Sequence, residues 1–165
     1  MNCTTTNRNL HDLGLLAIRI MLGVVFIFHG GQKLFGMFGG PGIEGFAGWL
    51  GSMNVPAPTA NAYLAAGAEF FGGIALLVGL GTRIAVVPLI ATMVVAILMV
   101  HGHAFSIQEK GMEYPLTLAV VMAGIGLTGA GRFSLDAVLR QKCHSENGTE
   151  NGTATNQQSS SHPVV

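Results

Sequence analysis

Six ionisable side chains stand where an apolar chain has little use for charge: Arg19, His29, Lys33, Glu69, His101 and Glu113. Glu69 is the sharpest of them, in the middle of Ala65-Ala66-Gly67-Ala68-Glu69-Phe70-Phe71-Gly72-Gly73. A carboxylate in such surroundings is either paired with a cation or protonated, which makes it a candidate proton carrier or a candidate ion-pair partner. Successive helical residues advance by about 100°, so Arg19, His29 and Lys33 fall within one arc of about 80° on a single helix. Such a face turns toward a bundle interior, a partner or water rather than toward lipid. His101 and His103, with Glu113, offer metal-ligand atom types, but His-x-His without a fixed third ligand is a weak pattern, and no metal is expected. Glu69 and His101 are the candidate proton relays, and Arg19, His29, Lys33 and Glu113 the candidate binding or ion-pair residues.

These residues are embedded in hydrophobic sequence. Only 10% of the 165 residues are Asp, Glu, Lys or Arg, against roughly a quarter in ordinary soluble domains, and 24 are glycine. Crossing a bilayer takes roughly 20 mainly apolar residues, and four windows approach that length: Leu13 to Phe35, Ala60 to Leu80, Ile84 to Val100, and Pro115 to Ala130. The expected fold is all-α, an integral membrane four-helix bundle, with residues 1–12 and 140–165 as tails on the domain 13–139. The first window lacks a small-residue cleavage site and reads as a retained helix. Gly81, Thr82 and Arg83 leave room only for a tight turn between the second and third windows. The longer connection Gly36 to Thr59 suggests a short interfacial helix anchored by Trp49. Small residues around Glu69, among them Ala62, Ala66, Gly72 and Gly73, allow a neighbouring helix to come close.

Depth follows from the antiparallel arrangement. If the first span starts at Leu13, Arg19 lies about 9 Å inside the membrane, close enough to the edge to snorkel or, alternatively, to turn inward. Glu69 lies about 13 Å below the opposite edge, level with His29 and near Lys33, within pairing range of one of them. His101, Glu109, Lys110 and Glu113 gather at that same edge. Near the spans, Arg8, Arg83, Arg132, Arg140 and Lys142 share one side, and Lys33 and Lys110 the other, so both termini are expected in the cytoplasm.

Other classes of function find no footing. Eight basic residues balance eight acidic ones without a basic face, which excludes nucleic acid as a partner. Cys3 and Cys143, in opposite tails, form neither a disulfide framework nor a metal-spaced pair. The pairs Gly30-Gly31 and Gly72-Gly73 match no phosphate-binding fingerprint and read as packing sites. The segment from Ser145 to His162 is too polar to bury and is expected to be disordered; its Asn147-Gly148-Thr149 and Asn151-Gly152-Thr153 match a glycosylation pattern short enough to arise by chance.

Taken in order, Arg19 with Leu22-Gly23, His29-Gly30-Gly31-Gln32-Lys33-Leu34-Phe35-Gly36, Glu69 with Gly72-Gly73, Gly81-Thr82-Arg83, His101, Gly111-Met112-Glu113 and Gly129-Ala130-Gly131-Arg132-Phe133-Ser134-Leu135-Asp136 resemble the DoxX family from Leu13 to Leu139. The resemblance implies a four-helix protein of a bacterial or archaeal inner membrane, in a family linked to membrane redox enzymes such as the thiosulfate:quinone oxidoreductase subunit and to thiol or quinone stress. It implies, as partners, the lipid bilayer and a membrane-associated oxidoreductase subunit, with a homo-oligomer compatible. No motif matches a flavin, haem or iron–sulfur site, so any redox centre is a partner's, a bound quinone, or absent. The competing reading is a noncatalytic scaffold or small-solute permease, in which the same polar groups fasten the helices.

Overall fold

The computed structural model describes residues 3–141, and every regular element among them is helical. The expected disordered tail, with both Asn-Gly-Thr matches and Cys143, lies outside the described residues. Five helices carry the architecture: α1 Cys3–Phe35, α2 Gly42–Ser52, α3 Pro58–Val78, α4 Thr82–Ala96 and α5 Glu113–Thr128. A further helix begins at Leu135. Among the described residues, three stretches are long and apolar enough to cross a membrane: Arg8–Phe35, Pro58–Val78 and Thr82–His101. The 16 residues of α5 are apolar but fewer.

Two boundaries differ from expectation. The first helix begins at Cys3 rather than near Leu13, because a helix nucleated in the apolar stretch propagates easily and residues 3–12 contain no glycine or proline to stop it. The turn between α3 and α4 occupies Gly79 to Gly81 rather than Gly81 to Arg83. Gly79 ends α3 with φ 71°, and its N–H and that of Leu80 both reach the Ala75 carbonyl at 2.9 Å. A left-handed cap of this kind favours glycine, so the helix stops at the first glycine able to make it.

Small residues set the closest approach, between α1 and α3. A Cβ added at Gly23 would lie 2.9 Å from Leu77 Cβ, and one at Gly73 would lie 2.8 Å from the Ile27 backbone nitrogen, so neither position holds a larger residue without moving a helix. One apolar core joins α1, α3, α4 and α5 through Leu22, Phe26, Leu76, Leu89, Met122 and Ile125. A second, smaller cluster packs Phe46 and Leu50 of α2 onto Ala62 and Ala66 of α3. The expected short helix bearing Trp49 therefore forms a cover on one end of the bundle, with the Trp49 ring stacked at 5.9 Å on Phe46.

Candidate functional site

The two ends of the bundle treat their charges differently. At the end that holds the α3–α4 turn, Arg19 is 1% exposed and does not snorkel. Its guanidinium donates to the carbonyls of Leu76 (3.0 Å), Leu77 (3.2 Å), Ala130 (2.6 Å) and Phe133 (3.0 Å). Leu76 and Leu77 belong to the last turn of α3, where helical N–H partners run out, Leu76 keeping only the Gly79 N–H at 3.2 Å, and where the partial negative charge favours a cation. The rigid fork of arginine suits several acceptors at once, which is why turning inward wins over reaching for water. Asp136 completes this end: its carboxylate accepts from the N–H groups of Gly81 (2.8 Å) and Thr82 (3.2 Å), capping α4 from a remote part of the chain. Asp12 accepts from the Arg132 N–H at 3.3 Å, which ties α1 to the same segment. These two aspartates carry structural roles that sequence reading missed; only Asp136, inside the family motif, left a signal.

At the opposite end, Lys33 and Glu69 meet. Lys33 Nζ donates to both carboxylate oxygens at 2.6 Å, and its side chain is 27% exposed against 3% for Glu69. The depth argument thus resolves to Lys33 rather than His29. The ammonium also lies 5.2 Å from the centroid of the Phe46 ring, a cation–π contact made by the covering helix α2. It is the one ion pair among the described residues.

A cavity of about 750 Å³ opens beside this pair. Its floor is Lys33 and Glu69; Phe46, Trp49 and Leu50 come from α2, Ala65 and Ala68 from α3, and Thr92, Val95 and Ala96 from α4. Near the turn, α3 and α4 are in contact, with Leu89 packed 3.0 Å from where a Gly72 Cβ would stand. Farther from the turn, their walls are separated by the cavity, and α2 covers the gap. The far wall ends in a single π-helical turn, Ile97–His101, which contributes Met99, Val100 and His101 to the lining. Such turns are rare and recur at functional sites.

The remaining candidates are distributed around it. His101 lines the cavity, and its Nδ1 donates to the Lys110 carbonyl at 2.5 Å, since a carbonyl can only accept. His29 is half-buried between Phe28 and Tyr114, with ring centroids 5.5 and 6.4 Å away, and does not line the cavity. Glu113, a candidate binding or ion-pair residue, does not line the cavity; it accepts from the Ile107 N–H at 3.0 Å and organises the loop before α5. A carboxylate in the first turn of a helix is well placed to take such a donor, and this is what draws it away. No group of three metal-ligand side chains converges among the described residues. His103 bonds the carbonyls of Val100 and Glu109.

The sequence pattern of the DoxX family matches residues 14–102, which span α1 through the π-helical turn and so include both Arg19 and the Lys33–Glu69 pair. "Putative oxidoreductase CatD" of Bacillus subtilis (strain 168) is 32% identical over 125 residues, 76% of this chain and 86% of that protein. "Inner membrane protein YqjF" of Escherichia coli (strain K12) is 29% identical over 139 residues, 82% of this chain and 98% of its own. No solved structure gives a significant match. With α2, α3 and α4, the buried Arg19 and Glu69 and the turn glycines Gly79 and Gly81 inside the matched region, this chain belongs to the DoxX family of membrane proteins.

Proposed function

We propose that the protein is a membrane subunit of a redox assembly and that its cavity binds a quinone-like small molecule. The observation that carries this reading is the 750 Å³ cavity with a buried ion pair in an otherwise mostly apolar wall. Ligand sites have this form, concave and apolar with a few convergent polar groups, and this volume lies within the range of small-molecule sites. The oxidoreductase in CatD's name and the inner membrane in YqjF's agree with it. In this reading the chain crosses the inner membrane four times with both termini in the cytoplasm, and the cavity faces the outer half of the bilayer. Glu69 and His101 relay protons to and from the bound molecule, while Lys33 holds Glu69 in place.

Co-purification in mild detergent, with mass spectrometry of lipids, quinones and proteins, tests it. A quinone or an oxidoreductase subunit should accompany the protein in near-stoichiometric amounts. A bare, cofactor-free protein that passes solutes across vesicle membranes would instead support a permease. The saturation of Arg19 by four carbonyls is one observation on the scaffold side, since it fastens helices and leaves little capacity over.

A further inference from the structure

The polar groups on the cavity wall can be counted by what they already bind. Asn61 Nδ2 donates to the Pro56 carbonyl at 2.7 Å, Thr92 Oγ1 donates to the Leu89 carbonyl at 2.8 Å, and His101 Nδ1 is held by Lys110. Lys33 carries three N–H donors, of which Glu69 takes two. Among the ionisable groups the unspent capacity is the third Lys33 N–H, with His101 Nε2 as an acceptor and the remaining lone pairs of Glu69 behind the lysine; the Trp49 indole N–H and the rest of the Asn61 amide add uncharged partners. Lys33, the more exposed partner, is the one an incoming molecule meets first.

We infer that the Lys33–Glu69 pair makes this cavity selective for uncharged amphiphiles whose head accepts a hydrogen bond, and that it rejects acids bearing the same tail. This rests on the cavity being a ligand site, as proposed above. A neutral carbonyl, ether or hydroxyl oxygen takes the spare N–H and leaves the pair intact. A carboxylate competes with Glu69 for the single ammonium, and two like charges in apolar surroundings repel strongly. A cationic head meets the ammonium itself. Arg19 is 1% exposed, spends four of its N–H donors on carbonyls at the opposite end and does not line the cavity, so it gives an acid no alternative. The tail lies along the apolar channel of Ala65, Ala68, Val95 and Ala96, beside the Phe46 and Trp49 rings.

Trp49 is the chain's single tryptophan and lines the cavity, so its fluorescence reports occupancy. The full-length protein in detergent is titrated with a medium-chain fatty alcohol and with the fatty acid of equal length, at about pH 8, where an ordinary imidazole is uncharged. The alcohol should bind the wild type about tenfold or more tightly than the acid does, a difference of the size one unpaired charge produces. Glu69→Gln leaves Lys33 unpaired and should raise affinity for the acid about tenfold, while the double variant Lys33→Met with Glu69→Gln should lose that gain. Equal binding of both amphiphiles to the wild type would overturn the charge selectivity while leaving the cavity a ligand site; if Glu69→Gln does not fold, this wild-type comparison still decides. An acid gain that persists in the double variant would also overturn it. A saturable response to neither amphiphile would remove the ligand site itself.

Discussion

Arg19 and Lys33 are both cations on one face of α1, yet the structure uses them in opposite ways. Arg19, 1% exposed, is held by four backbone carbonyls at a closely packed end, whereas Lys33, its side chain 27% exposed, has a donor left over beside a cavity that an incoming molecule can enter. The contrast teaches that a charge inside a membrane protein is read by whether a molecule can reach it, because a group enclosed among backbone carbonyls contributes only architecture. Substitution separates the two ends by how each fails.

The largest effect should come from Arg19→Leu. It strands carbonyls of α3 and of the Ala130–Phe133 segment, and each buried acceptor left without its donor costs about 1–3 kcal/mol. Thermal unfolding in detergent should show little or no folded protein; a variant that melts within a few degrees of wild type would break the distinction between the ends.

Next comes an asymmetry within the ion pair. Lys33→Met leaves Glu69, 3% exposed, without its partner, while Glu69→Gln leaves Lys33, 27% exposed, able to reach water. The lysine substitution should therefore destabilise more, about 3 kcal/mol against about 1–2 kcal/mol. The same unfolding measurement checks it, and the reverse order would mean that Lys33 is the more deeply held partner.

A smaller loss is expected from Asp136→Ala, which uncaps the Gly81 and Thr82 N–H groups at the start of α4 and should cost about 1 kcal/mol. Amide exchange at those two positions should accelerate while exchange around Glu69 stays unchanged. The smallest effect belongs to Glu113→Ala: its bond to Ile107 is exposed, so stability should fall by no more than about 0.5 kcal/mol. A large loss of ligand binding from this substitution would place Glu113 in the site after all.

Much of this was legible in the sequence, and the limits are physical. Glu69 and a first-helix cation could be matched in depth because helical rise is fixed and the turn between α3 and α4 is short. The partners of Arg19 could not be read, because backbone carbonyls leave no residue signature; snorkelling and inward capping look alike until the loop after α5 is in place. Asp12 and Asp136 act on N–H groups far along the chain, so local patterns do not reveal them. The cavity arises where residues of α2, α3 and α4 face one space, a three-body arrangement that periodicity along one helix does not encode. His101 reaches its wall through one π-helical turn, and Glu113 misses it because a nearer donor captures its carboxylate.

The central claim is that the Lys33–Glu69 end is a ligand site, and filling it tests this most directly. Ala65→Phe with Ala96→Phe sends two rings into the cavity from α3 and α4, one helical turn from Glu69 and at the opposite end from Arg19. Melting of the wild type in detergent should rise when a short-tailed quinone is added, because a ligand that binds the folded state stabilises it by mass action. The filled variant should melt near the unliganded wild type and show no such rise. An equal rise in both proteins would contradict the account, since the quinone would then be binding somewhere other than this cavity.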